Sequence, residues 1–167
     1  MATQRISILG ANTVPDASGN VYFQPYNIVA TNDVWRHLVV IFADSATRDL
    51  LYGQFEVPQN YVGNAKIYPI WTAQVTSGNV VWDFDYRTVG GDDTTSLDQS
   101  GVEEALTVTD AAPTATDRRM TPSMTATAAN FAAGETVTFL LARDGASADT
   151  LAGAVTLFDL IFEYTDV

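Results

Sequence analysis

Residues 76–89, TSGNVVWDFDYRTV, decide the fold. Ser77, Gly78 and Asn79 predict a turn, because Gly and Asn tolerate the positive φ values that many turns require. After the turn, aromatic and apolar side chains alternate with charged ones, which is typical of a half-buried β-strand. One face carries the expected core anchors Val80, Trp82, Phe84 and Tyr86, and the other carries Val81, Asp83, Asp85 and Arg87. We expect residues 66–75 to pair with this strand as a hairpin at the centre of a β-sandwich.

Turn-rich segments divide the rest of the chain into short apolar stretches of similar size. We predict eight strands, at residues 36–43, 50–57, 65–75, 79–89, 103–109, 118–127, 135–143 and 154–165. Evenly spaced strands without helical periodicity indicate an antiparallel sandwich or barrel. Eight strands favour an all-β, antiparallel jelly-roll β-sandwich, with an immunoglobulin-like sandwich as the alternative. The alanine-rich residues 128–133, followed by Gly134, predict a single helical turn.

Residues 1–33 form an irregular, turn-rich start and are predicted as an N-terminal arm or extension, with the sandwich domain at residues 34–167. Residues 5–9 are a candidate short strand within it. Two interpretations stay open, since a chain terminus is ordered only when something holds it. The segment either packs along the sandwich or reaches a neighbouring subunit.

The composition excludes several kinds of protein. The 167 residues fit one domain with its own core. The absence of cysteine excludes disulfides, cysteine-ligated zinc and a thiol nucleophile. A net charge of −12 with a single lysine, Lys66, argues against partners such as nucleic acid or an anionic membrane. No apolar run is long enough to span a membrane, and the first residues lack the pattern of a signal peptide, so we expect the chain to be made in the cytoplasm.

Asp83 and Asp85 are the strongest candidates for catalysis. They lie two apart on one strand face, so their Cβ atoms are expected ~6–7 Å apart. Paired carboxylates near this spacing can hydrolyse glycosides, but such pairs normally face each other across a cleft. The single histidine, His37, lies in an apolar strand, and the sequence has no nucleophile elbow for it to serve. The sequence therefore predicts that the protein is not an enzyme.

Two acidic loops are candidates for calcium, which prefers clustered carboxylate and carbonyl oxygens. One holds Asp92, Asp93 and Asp98, and the other holds Asp144 and Asp149. Neither spacing matches a calcium-binding loop, and acidic surface loops are common. One histidine without any cysteine also disfavours a transition-metal site. We therefore predict no cofactor and no metal.

Aromatic residues are plentiful for this length, with Trp35, Trp71 and Trp82 beside seven tyrosines and eight phenylalanines. Most should lie in the core, because their side chains carry large apolar areas. Any that are exposed on a β-sandwich could stack on sugar rings, which makes a glycan-binding module the alternative function. The predicted strand at residues 66–71 carries apolar side chains on both of its faces. If one face meets solvent, the apolar pair on that face is exposed and is expected to contact a partner. The predicted interface comprises Tyr68, Ile70, Asp83, Asp85 and Arg87.

A set of turn and strand motifs extends over residues 50–166. The motifs are FEVPQNY (55–61), a strand with Lys66 and Trp71, TSGNVVW (76–82), AAGE (132–135), Arg143-Asp144, Asp149-Thr150 and FEY (162–164). This set resembles small virion proteins of tailed bacteriophages, the capsid decoration or cement proteins. The motifs carry no chemical signature, and residues 1–49 match less clearly.

The resemblance implies a jelly-roll protein, often a homotrimer, that sits on the outer surface of a capsid. The implied function is a non-enzymatic structural one, in which the protein stabilises the capsid of a virion by bridging neighbouring copies of the major capsid protein. The alternative is a glycan- or receptor-binding β-sandwich module of a phage fibre or spike. No catalytic residue is implied.

Overall fold

The computed structural model describes residues 1–10, 12–30, 33–91 and 96–167. Within these residues eleven strands form two antiparallel sheets that pack face to face. The strands are β1 (Thr3–Ser7), β2 (Val14–Pro15), β3 (Val21–Ala30), β4 (Asp33–Phe42), β5 (Arg48–Glu56), β6 (Tyr61–Ala73), β7 (Asn79–Val89), β8 (Glu104–Ala111), β9 (Met124–Thr125), β10 (Thr136–Asp144) and β11 (Val155–Asp166). The predicted all-β, antiparallel jelly-roll sandwich is confirmed.

The six-stranded sheet has the order β3-β4-β11-β6-β9, and β1 pairs with β11 as well. The five-stranded sheet has the order β2-β5-β10-β7-β8. The two sheets enclose one hydrophobic core, and each contributes aromatic side chains to it. The largest apolar side chains that are fully buried there are Trp71, Trp82, Tyr86, Phe42, Phe84 and Phe162. The predicted core anchors Trp82, Phe84 and Tyr86 are thus confirmed.

The predicted hairpin of residues 66–75 with residues 79–89 is wrong. β6 pairs with β11 in one sheet, and β7 pairs with β10 and β8 in the other. The turn between them does carry Gly78 at a φ of +94°. Its backbone groups bond elsewhere, however: Gly78 accepts from Ala112, and Asn79 accepts from the amides of residues 150 and 151. The turn therefore crosses from one sheet to the other, and the apolar faces of β6 and β7 meet across the core.

The N-terminal residues are strands of the sandwich, not an irregular extension. β1 pairs with β11, β2 pairs with β5, and β3 pairs with β4 along its whole length. The pairing of β3 with β4 crosses the domain boundary predicted at residue 33. These strands also explain why the structure has eleven strands where the sequence predicts eight. Contact of this segment with a neighbouring subunit stays one of the two interpretations of the sequence.

The predicted strand at residues 118–127 is reduced to two short contacts with β6. Met120 forms an isolated bridge with Trp71, and β9 pairs with Lys66 and Ile67. Pro122 lies between the two contacts, at the edge position that its missing N–H requires. The helical turn is confirmed as a 3-10 turn at Ala128–Asn130. In the part of the chain that the structure describes, no helix is long and apolar enough to cross a membrane.

Candidate functional site

The outer face of the five-stranded sheet carries an open cleft of about 260 Å³. The register of β5, β10 and β7 builds it, because Leu140 of β10 lies between Tyr52 and Asp85. One step along, Thr138 lies beside Arg87. Side chains two apart on a strand share a face, so these five residues line one surface. Val102, which precedes β8, closes one side of the cleft.

Tyr52 is the exposed aromatic residue of the cleft, with 44% of its surface accessible. The strand beneath it is held close to the core by Gly53, which lies under the ring of Phe139. A Cβ built on Gly53 would stand only 2.3 Å from that ring. A glycine within a strand indicates either a bulge or a close contact. Here the close contact is present, and the pairing of β5 with β10 continues through Gly53 without a bulge.

The charged row of β7 lies on the outer face, as predicted, but its carboxylates already have partners. Arg48 binds Asp83 through Nε at 3.0 Å and Asp85 through Nη2 at 2.9 Å. Asp83 also accepts a 2.7 Å hydrogen bond from Thr107, and only 8% of its surface is accessible. Burial lowers the Arg48 pKa, but the bonds and attraction to Asp85 and Asp83 outweigh it, so this pKa lies above its usual value. Because one guanidinium holds both carboxylates, they do not face each other across a cleft.

Arg87 ends the row and lies in the cleft. Its Nη1 donates a 2.5 Å hydrogen bond to the carbonyl of Gln99, which ties β7 to the segment before β8. The side chain is partly buried. Arg87 therefore places a guanidinium beside Tyr52, Thr138 and Leu140, in a cleft that Asp85 also lines.

Tyr68 and Ile70, the other predicted interface residues, lie on the outer face of the six-stranded sheet. Ile70 is buried. The hydroxyl of Tyr68 donates to Glu163 at 3.1 Å, and the guanidinium of Arg5 lies 4.8 Å from the centre of its ring. Burial is the largest cause that raises the pKa of Tyr68, and the hydrogen bond to Glu163 and the charge of Glu163 raise it further. This chain thus covers much of the surface that these two residues were expected to offer a partner, and their interface role stays a prediction.

The remaining candidates do not assemble into a site. His37 is exposed, with its ring edge to face against Phe158. Asp149 is bound by Arg143, and Asp98 is exposed. The side chain of Trp35 and the residues Asp92 and Asp93 lie outside what is described. Among the described residues, no group of three or more histidine, aspartate or glutamate side chains could hold a metal ion.

A second surface, on β3 and β4, is apolar. Leu38 is 72% accessible, and Phe23 is also exposed. They line a cleft of about 500 Å³ with Leu9, Gly10, Thr13, Val39, Val40 and Phe158. It opens where β4 separates from β11, since their pairing ends at Val40 and Leu157. Among the described residues that line this cleft, Thr13 supplies the one polar side chain.

The sequence singled out Asp85 and Arg87 as interface residues, and it did not single out Arg48, Tyr52, Thr138 or Leu140. A signal for two of them exists, because the alternation of residues 48–54 places Arg48 and Tyr52 on one face. The predicted strand began at Leu50, so Arg48 fell outside it. Which strand lies beside β7 depends on pairing between distant segments, which alternation does not specify.

No family model matches the sequence, and no curated protein matches it either. Solved structures with similar folds include a family 35 carbohydrate-binding module from Clostridium thermocellum, at a TM-score of 0.54 and 11% identity over 95% of this chain and 97% of that one. An isomalto-dextranase of Arthrobacter globiformis T6, complexed with panose, reaches 0.58 at 14% identity over 96% of this chain. This chain covers 23% of that enzyme.

A cycloisomaltooligosaccharide glucanotransferase of Paenibacillus sp., complexed with cycloisomaltoheptaose, gives a TM-score of 0.50 at 16% identity. The match covers 94% of this chain and 18% of that one. At such identities the similarity establishes a shared β-sandwich fold. The chain matches one module along almost its whole length and spans less than a quarter of either enzyme.

Proposed function

We propose that this chain is a non-catalytic β-sandwich module that binds carbohydrate in the cleft on the outer face of the five-stranded sheet. The observation that carries the proposal is the exposed ring of Tyr52 in a cleft that Thr138 and Arg87 also line. A sugar ring has an apolar face of C–H groups and a rim of hydroxyls. An aromatic side chain packs against the first, and nearby polar groups bond the second.

The size and form of the cleft suit a short saccharide. Ligand pockets in proteins have volumes of roughly 300–1,000 Å³. At about 260 Å³ the cleft lies just below this range, and because it is open to solvent, a longer saccharide chain can continue beyond it. The similarity to a carbohydrate-binding module supports the proposal by analogy of fold, and the fold alone does not assign a function.

The apolar cleft on β3 and β4 is larger but suits a sugar less well. Its lining offers a sugar one hydroxyl side chain, that of Thr13. The hydroxyls of a bound sugar would lose their hydrogen bonds to water there without replacement, which costs free energy for each group. The cleft with Tyr52 has a guanidinium, a carboxylate and a hydroxyl within reach.

The test compares two tyrosines of similar exposure. Tyr52 is 44% accessible in the cleft, and Tyr22 is 42% accessible on β3. A glycan array should first identify a ligand for the unaltered protein. Calorimetric titration should then show at least a tenfold loss of affinity for Tyr52→Ala and no change for Tyr22→Ala. Absence of any glycan ligand, or equal binding by both variants, would overturn the proposal.

A structural role in a capsid is the second candidate, and the exposed apolar surface at Phe23 and Leu38 favours it. Large exposed apolar patches mark protein interfaces. In this proposal the surface would meet the major capsid protein or another copy in a homotrimer on the virion. Light scattering should then give a trimer mass that Leu38→Ser reduces to the monomer mass. A monomer of the unaltered protein at micromolar concentration would count against the trimer.

A further inference from the structure

Three arginines of this fold can be compared by what their guanidinium edges bind. The edge formed by Nε and Nη2 presents two parallel N–H groups, which match the two oxygens of a carboxylate. In Arg143 this edge holds Asp149, with Nε 2.8 Å from Oδ2 and Nη2 3.0 Å from Oδ1. In Arg48 it is divided between Asp83 and Asp85.

In Arg87 the same edge has no partner among the residues that the structure describes. Nη1 is its one donor with an acceptor there, the carbonyl of Gln99. Two neighbouring carboxylates that the structure describes are engaged elsewhere. Asp85 is bound by Arg48, and Glu103 accepts a 2.8 Å bond from the hydroxyl of Thr88. With respect to the described residues, the edge of Arg87 is therefore available in the cleft beside Tyr52.

We infer that the cleft binds a sugar that carries a carboxylate, a uronic acid, and that Arg87 holds this carboxylate through Nε and Nη2. The inference rests on the proposed carbohydrate site and specifies its ligand. A partly buried guanidinium has lost part of its hydration, and a bidentate carboxylate restores two charge-assisted bonds. Tyr52 receives the ring face of the same sugar, and the hydroxyl of Thr138 lies next to Arg87 in the register.

The net charge of the whole chain restricts the class of ligand further. At a net charge of −12 the protein repels a polymer of uronic acids over long distances. One carboxylate on an otherwise neutral oligosaccharide meets little of this repulsion and still makes the direct contact with Arg87. The ligand class is therefore a neutral glycan that carries isolated uronic acid residues or ends in one.

The experiment uses pairs of ligands that differ only in charge. Neutral oligosaccharides that carry a single glucuronic or galacturonic acid residue are each compared with their methyl esters, which keep the ring and remove the charge. Calorimetry on the full chain at neutral pH should show at least tenfold tighter binding of one acid than of its ester. Arg87→Gln should abolish this preference, so that the acid and its ester bind with equal affinity. Arg87→Lys, which keeps the charge without the two-donor edge, should retain only part of it.

Arg118→Gln is the matched control, because Arg118 is exposed and lies outside the cleft. It should keep the full preference for the acid. Equal affinity for acid and ester would overturn the inference and leave the carbohydrate site standing. Failure to bind either member of any pair, or any neutral glycan, would overturn both. A sulfated form of the same neutral oligosaccharide is titrated as well, and tighter binding of it than of the uronic acid would also overturn the assignment to a carboxylate.

Discussion

Trp71 and Trp82 pack edge to face at the centre of the sandwich, with 6.3 Å between their ring centroids. Trp71 belongs to the six-stranded sheet and Trp82 to the five-stranded sheet. Trp71 donates a 2.9 Å hydrogen bond from Nε1 to Asp110, whereas Nε1 of Trp82 has no acceptor among the described residues. The two strands that follow each other in sequence thus meet across the core through these rings.

Trp82→Ala should lower the free energy of unfolding by about 3–5 kcal/mol, because it removes a fully buried ring and leaves a cavity. Trp82→Phe should cost less, since the indole N–H that it removes makes no hydrogen bond in the described structure. Urea denaturation followed by circular dichroism measures both. A near-neutral effect of Trp82→Ala would contradict its place in the core.

Arg143 is a buried cation that fastens the loop before β11. Its side chain is 1% accessible, and it binds Asp149 and the carbonyls of Ala43, Leu151 and Gly153. Arg143→Met should destabilise the protein by about 3–5 kcal/mol, because it leaves the Asp149 carboxylate without its countercharge. Adding Asp149→Leu should cost less than the sum of the single changes, since the two residues are coupled. Strict additivity in denaturant titrations would contradict this coupling.

The faces of β7 follow from the local sequence pattern, whereas its pairing partners lie far along the chain. The alternation around Trp82 correctly assigned the inner and outer faces of β7, because a strand's period of two is a local property. The partner of β7 was wrong, since it depends on β10 and β8, which lie far along the chain. A turn next to a strand favours a hairpin locally, and the burial of two apolar faces against each other outweighed it here.

The contacts within the candidate site also depend on the pairing of distant strands. Asp83, Asp85 and Arg87 were expected to form one outward row for a partner, and they do share a face. Arg48, however, comes from β5, which lies two strands away across β10. Arg48 binds the carboxylates of both Asp83 and Asp85. Of the three residues of the row, Asp85 and Arg87 line the cleft. Side chains that come together through register could not be found from the order of residues alone.

The ionised carboxylate of Asp110 should destabilise the folded protein at neutral pH. Burial raises its pKa above the usual value, and the bond from Trp71 offsets this only in part. Between the unfolded and the higher folded pKa the native state binds more protons, so stability falls as pH rises through this window. Asp110→Asn keeps an acceptor for Trp71 and removes the charge. We expect it to raise the midpoint of thermal unfolding at pH 7 and to lose this advantage near pH 3. A destabilised variant at pH 7 would contradict the expectation.

Glu104 provides the opposite case on the same strand, β8. Burial acts to raise its pKa, but a 2.5 Å bond from the hydroxyl of Tyr86 and two bonds from Thr127 outweigh it and lower the pKa. A lowered folded pKa stabilises the protein above the unfolded pKa, and this contribution is lost as pH falls through the folded pKa. Glu104→Gln should therefore lower the unfolding midpoint at pH 7 and approach the unaltered protein in strong acid. The two variants should be measured together. Relative to the unaltered protein at pH 7, Glu104→Gln should lower the unfolding midpoint and Asp110→Asn should raise it. Profiles of the same sign would show that the charge environment of β8 differs from the one described.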